Sequence, residues 1–211
     1  MARYTGPVCK LCRRYGDKLL LKGGKCLTPK CPVEKRHGSL TPRRGIRRRN
    51  NKVTEYGLQL REKQKARLIY GILERHFVRN FAEAKRRPGR SGENLFVMLE
   101  MRLDNVVYRL GFTDSRRQAR QIVRHGHIAV NERMVNIPSY QVKLGDAISW
   151  KKGSSAFEQY TLLSKDVQGE LVPNWLTLDQ TTFIGQVISA PSLEDIAPIV
   201  DDQLIVSYYS R

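Results

Sequence analysis

All four cysteines of this 211-residue chain lie within its first 31 residues, as Cys9-x-x-Cys12 and Cys26-x4-Cys31 with thirteen residues between the pairs. Residues 1–52 hold Gly6, Pro7, Gly16, Gly23, Gly24, Pro29, Pro32, Gly38, Pro42 and Gly45 and lack a periodic apolar pattern, so they cannot build a hydrophobic core of their own. Two close thiol pairs returned to each other by a loop suit a tetrahedral ion, each pair giving two thiolates from a tight knuckle. One structural Zn2+ held by Cys9, Cys12, Cys26 and Cys31 is therefore expected, with Lys10, Arg13, Arg14, Lys25 and Lys30 beside the ligands favouring the thiolate form. An iron–sulfur cluster takes the same four thiolates, and spacing does not separate the two; zinc is the preferred reading. The opening Met1-Ala2-Arg3-Tyr4 has no apolar signal region, and the longest apolar run, Leu95 to Leu99, is far short of the ~20 residues of a membrane span. These features predict a cytoplasmic, soluble chain without a membrane partner, where a disulfide is disfavoured.

Charge narrows the partner. Lys and Arg number 38 against 20 Asp and Glu, a net +18, distributed as +24 over residues 1–152 and −6 over residues 153–211. So one-sided a field is rare in a metabolic enzyme and points to a polyanion. Residues 1–52 alone carry +14, and within them Arg43, Arg44, Arg47, Arg48, Arg49 and Lys52 form an acid-free arm. Such a run is often only a solvated tail, or a nuclear-localisation signal in a eukaryote. Beside so basic a head it is read as phosphate-binding.

From Leu58 to Ala84 the apolar positions Ala66, Ile69, Leu73, Phe77, Phe81 and Ala84 recur at helical steps, with Gly71 separating two helices or marking a kink. Arg86 to Gly92 is a break, after which a third helix is expected to use Leu95, Leu99, Leu103, Val106 and Leu110 until Gly111 stops it. Ser115-Arg116-Arg117-Gln118 has the form of a capping box opening another helix, which ends near His125 with Gly126 as its stop. On it Arg116, Arg117, Arg120 and Arg124 fall within about 100° of one another, opposite Ala119, Ile122 and Val123. An ordinary amphipathic surface helix would balance such a stripe; four Arg without an acid on that face leave the charge uncompensated and predict nucleic-acid contact. Short strands follow, Ile128–Val130 and Arg133–Val135 around Asn131-Glu132, then apolar runs at 138–142 and 144–148. The acidic last quarter is read as a packing segment with strand-like runs such as Leu204 to Tyr209, its acids turned from RNA toward a basic protein.

The helix-then-hairpin pattern resembles the S4 RNA-binding module. The lines Arg102-Leu103-Asp104-Asn105-Val106-Val107-Tyr108-Arg109-Leu110-Gly111-Phe112, Ser115 to Gln121 and His125-Gly126-His127-Ile128 carry that likeness. With Cys26 to Arg36, Leu60 to Arg67, Asn174 to Asp179 and the final Tyr208-Tyr209-Ser210-Arg211, the whole chain resembles the bacterial S4 family of small-subunit ribosomal proteins in its zinc-binding form. It departs at Glu132, where the family usually has Gly after Asn and a φ > 0 turn would strain a larger residue. It departs also at Thr41 to Gly45, where many relatives have Pro-Gly-Gln-His-Gly. The resemblance implies an α+β protein: an N-terminal zinc-knuckle and helical domain, then an αL-type RNA-binding domain of two helices and a small twisted antiparallel sheet. The corresponding segments are a zinc-binding head and arm (1–52), a helical part (53–100), the S4 domain (101–163) and an acidic closing segment (164–211).

By the same resemblance Ser115, Arg116, Arg117, Arg120, Arg124, His125, Gly126 and His127 form the RNA-facing set. The chain would bind small-subunit (16S) rRNA early in assembly at a junction of helices, beside the third and fifth small-subunit proteins, and contribute to decoding accuracy. No small-molecule substrate is implied. Two other functions are consistent with an S4 module. An RNA-modifying enzyme needs a catalytic domain with a nucleophilic Asp, yet only 59 residues follow position 152, and His37, His76, His125 and His127 form no HExxH motif or triad. A zinc-dependent nucleic-acid-binding regulator would prefer duplex DNA over structured RNA.

Overall fold

The computed structural model describes residues 4–37, 54–154, 172–179, 181–192 and 200–210. The basic arm, with Arg43, Arg44, Arg47, Arg48, Arg49 and Lys52, lies outside the described residues. The chain forms two compact units, one of residues 1–78 and 198–211 and one of residues 79–197. Among the described residues no helix is long and apolar enough to cross a membrane.

The first unit is helical. Helix α1 (Val8–Tyr15) carries Cys9 and Cys12 one turn apart; a short 3-10 turn (Gly23–Cys26) and α2 (Glu34–His37) complete the head. Helix α3 (Glu55–Ile69) begins at Thr54, whose hydroxyl accepts the Gly57 N–H at 3.2 Å, and α4 (Glu74–Arg86) begins after Gly71, as the break at that glycine predicts. The head is tied to α3 by polar contacts. Buried Lys65 bridges Asp17 (2.7 Å) and Glu62 (2.8 Å), and the Arg61 guanidinium donates to the Tyr15 carbonyl.

The run Leu204 to Tyr209, expected as strand, is instead helix, α8 (Asp202–Tyr209), packed along α3. Asp201 caps it, accepting the Gln203 and Leu204 N–H groups at 2.9 and 3.2 Å, while Ile205 is fully buried. Capping and burial on α3 override the strand preference of its β-branched and aromatic residues. Lys63, buried, is held by Glu74 at 2.7 Å and lies 4.4 Å from the Tyr208 ring centroid; the Tyr209 hydroxyl donates to the same Glu74 carboxylate at 3.0 Å.

In the second unit the single helix expected over 95–110 is broken in two, α5 (Ser91–Glu100) and α6 (Leu103–Arg109). The backbone groups freed at the break are taken by the 138–142 segment: Val142 N–H donates to Met101 O (2.9 Å), Leu103 N–H to Tyr140 O (2.9 Å) and Asp104 N–H to Pro138 O (3.2 Å). A distant segment thus supplies the hydrogen bonds an unbroken helix would have made itself. That segment forms no strand of its own, only an isolated bridge between Arg102 and Gln141.

Helix α7 (Arg116–Arg124) follows, then an antiparallel sheet of order β2-β1-β3-β5-β4. Its strands are β1 (Ile128–Val130), β2 (Arg133–Met134), β3 (Ala147–Trp150), β4 (Leu176–Asp179) and β5 (Ile184–Val187). Two strands therefore come from the acidic quarter, and α8 from the same quarter belongs to the first unit. The core joins Leu103, Val106, Leu110, Ala119, Val123, Ile128, Ile148 and Trp175, all at most 1% exposed. Gly185 is obligatory on β5, because a Cβ there would lie 2.4 Å from a Leu110 methyl.

Candidate nucleic-acid interface

Helix α7 is fixed at both ends by local chemistry. The Ser115 hydroxyl accepts the Gln118 N–H at 3.4 Å, and the Gln118 side chain reaches back to the Asp114 N–H at 3.3 Å, one residue upstream of the partner a capping box predicts. His125 closes the helix and Gly126 turns the chain at φ +76°, with the Met134 sulfur 3.0 Å from where a Cβ would stand. Ala119 and Val123 are buried, so the Arg-bearing side is held in a single orientation.

That side is not uncompensated, as the absence of acids on α7 had suggested. Two buried carboxylates from the α5–α6 region take up part of it. Asp104 accepts a two-pronged contact from Arg102 (3.1 and 2.9 Å) and a third from Arg120 at 2.7 Å. Glu100, fully buried, accepts Arg109 in the same forked manner (2.9 and 3.0 Å) and the Asn105 amide at 2.6 Å; the Arg116 guanidinium stands 3.9 Å away. Asn105 relays the contact, its carbonyl accepting from Arg116 Nε at 2.6 Å, and Arg116 lies 4.5 Å from the Tyr108 ring centroid. Sequence reasoning passed over Glu100, Asp104, Asn105 and Tyr108; their only local signal was that acids and an amide occupy core-facing positions of an apolar helix. Four guanidiniums share two carboxylates, so the cluster keeps a positive excess while its side chains are immobilised.

Arg117, Arg124 and His125 are exposed. His127 is half-buried, with the Ser154 hydroxyl 2.9 Å from its Nδ1 and its carbonyl accepting the Lys151 N–H at 2.8 Å. The pairing of β1 with β3 thereby sets exposed Lys151 and Lys152 beside the end of α7, cations that no sequence motif marked. The hairpin β1–β2 turns through Asn131 (φ +48°) and Glu132 (φ +65°), so Glu132 does occupy the left-handed conformation that disfavours it. The turn is clamped by the Asn131 side chain, which donates to Asp146 (2.8 Å) and accepts the Ala147 N–H (2.9 Å).

In the head, Cys12, Cys26 and Cys31 are buried and Cys9 is half-buried; none is in a disulfide. Burial pushes the Cys12 thiol up, a backbone hydrogen bond from Leu19 opposes this, and the charges of Cys26, Cys9 and Cys31 push it up further. The Lys22 N–H donates to the Cys26 sulfur at 3.4 Å. The donor chemistry fits a thiolate-bound ion. The expected zinc knuckle is not seen: among the described residues no three His, Cys, Asp or Glu side chains stand as a metal-holding group.

Comparison with known proteins covers the whole chain. Residues 3–100 match the ribosomal protein S4/S9 N-terminal domain, and residues 101–148 match the S4 domain. The small ribosomal subunit protein uS4 of Acidobacterium capsulatum is 53% identical over 211 residues, covering all of both chains. That of Halothermothrix orenii is 52% identical over 211 residues, again complete in both. Symbiobacterium thermophilum has a uS4A that is 52% identical over 213 residues with the same full coverage.

Proposed function

The chain belongs to the bacterial S4 family of small-ribosomal-subunit proteins, a non-catalytic RNA-binding family, and from that premise we propose how its residues meet RNA. The surface formed by Arg117, Arg124, His125, Lys151 and Lys152, backed by the half-buried Arg116, Arg120 and His127, receives 16S rRNA. The carrying observation is the α5–α7 cluster, in which two buried carboxylates fix four guanidiniums without neutralising them. Duplex RNA hides its base edges in a deep, narrow major groove, so a folded junction is recognised through shape, phosphates and 2′-hydroxyls. Rigid guanidiniums suit that task, because little side-chain entropy remains to be lost when phosphates arrive. Ser115 and Gly126 act by holding the helix ends. The arm residues Arg43, Arg44, Arg47, Arg48, Arg49 and Lys52 add phosphate contacts of a sequence-independent kind.

On this reading the protein binds rRNA early in assembly of the cytoplasmic small subunit, and its acidic last quarter faces protein neighbours, the third and fifth small-subunit proteins. Cys9, Cys12, Cys26 and Cys31 would hold one structural zinc ion rather than an iron–sulfur cluster, a reading supported by four free thiols in one small head, three of them buried, and by N–H donors to Cys12 and Cys26. The ion would supply the cross-link that this core-poor head lacks.

The test is chemical footprinting on small-subunit rRNA with wild type and the double variant Arg117→Glu/Arg124→Glu. These two are chosen because both side chains are exposed, whereas Arg116 and Arg120 belong to the buried carboxylate cluster. A protected multi-helix junction, weakened in the variant with the log–log salt slope reduced by about 1.5 to 2, is expected. Diffuse protection that ignores both changes refutes the assignment.

A further inference from the structure

The first unit holds a second cationic feature, which α7 does not account for. A trough of about 530 Å3 opens between α1 and α3, floored by Leu11 and Leu60 and walled by Tyr4, Tyr15, Arg14 and Arg61. It continues past Tyr4, Leu11 and Arg14 into a hollow of about 490 Å3 flanked by Lys10 and Arg13. Among the described residues no carboxylate lines either part. The Tyr4 hydroxyl donates to the Pro7 carbonyl at 3.3 Å, which anchors the ring while leaving it 40% exposed. At the opposite wall the Tyr15 carbonyl accepts from Arg61, so that guanidinium is fixed at the rim, whereas Arg14, Arg13 and Lys10 are exposed.

An aromatic ring, an apolar floor and a row of cations make a site for a flat, uncharged group joined to an anion. A nucleotide has that constitution. An acidic peptide would use the cations but leave the ring and floor unmatched. We propose that this trough captures one unstacked nucleotide of single-stranded RNA, its base against the Tyr4 ring and its phosphates along Arg14, Arg13 and Lys10. The proposal rests on the RNA-binding reading above and adds to it a contact on a different unit from α7. Because every base has a π-face, the capture is tolerant of sequence.

The full-length protein bound to small-subunit rRNA is irradiated with ultraviolet light, digested with nuclease and analysed for nucleotide adducts by mass spectrometry. Adducts are expected on Tyr4 or Tyr15 and, separately, on the α7 to His127 segment. Arg14→Glu and Tyr4→Leu should each lower the first about tenfold and leave the second unchanged. Both side chains are exposed, so the fold is retained, and circular dichroism checks this. Adducts at α7 with none at Tyr4 or Tyr15, or trough adducts that survive both substitutions, overturn the proposal while leaving the RNA-binding reading intact. Absence of adducts at both places overturns the RNA-binding reading itself.

Discussion

Replacing Glu100 by Gln removes one negative charge and almost no volume, yet it should be among the most damaging single changes available to the second unit. Glu100 is fully buried and takes the Arg109 fork at 2.9 and 3.0 Å and the Asn105 amide at 2.6 Å, with Arg116 at 3.9 Å. A Gln amide has one acceptor oxygen, and its NH2 would point at a guanidinium or an amide that also donates. The pair is largely desolvated, Glu100 at 1% and Arg109 at 18% side-chain exposure, and the half-buried Arg109 would lose its counter-charge, a loss of about 3–5 kcal/mol. Both tryptophans of the chain, Trp150 and Trp175, are buried in the second unit, so their fluorescence reports its unfolding. With a urea dependence of about 2 kcal/mol per molar, the midpoint should fall by about 2 M. The control is Glu93→Gln, which breaks the Arg90 pair at 3.3 Å between side chains 80% and 38% exposed and should cost at most about 0.5 kcal/mol. A fall below about 0.5 M for Glu100→Gln, matching the control, refutes the reasoning that the network is desolvated and structural.

Three further outcomes are expected. Glu132→Gly relieves a left-handed residue in the β1–β2 turn; strain relief of about 1–2 kcal/mol, less about 0.4–1 for a freer unfolded chain, should raise the melting temperature by a few degrees. No change or a fall would show that the turn carries no strain. Glu74 is pushed up by burial, but Lys63, Tyr209 and Arg67 outweigh this and hold its carboxyl below the usual range. Its stabilising effect is therefore present above about pH 4.5 and lost as pH falls through its folded value. Protease sensitivity of the 202–209 segment should rise in acid, and Glu74→Gln should flatten that dependence; an identical acid profile in the variant argues against it. Chelation should expose residues 1–35 to proteolysis while the tryptophan signal of the second unit persists, and an unchanged digest in chelator would count against a bound metal.

The amino-acid order alone determined those features whose forces act over a few residues. The charge gradient, the cap at Ser115, the stop at Gly126, the two-residue turn at Asn131 and the break near Gly71 all follow from neighbouring side chains and backbone preferences. So does the S4 character of the chain, since its motifs are themselves local runs. Tertiary structure decided the rest, because the competing interaction lay far away in sequence. Residues 138–142 split one expected helix into α5 and α6 by taking its backbone hydrogen bonds. Burial on α3 made a helix of Leu204 to Tyr209 against its strand preference. Arg116 and Arg120 look equivalent to Arg117 and Arg124 on a helical projection, yet only folding brings Glu100 and Asp104 beneath the first pair and leaves the second pair facing solvent. A sequence fixes how many charges a face carries; which of them are already answered from within depends on desolvated partners that only the packed chain assembles.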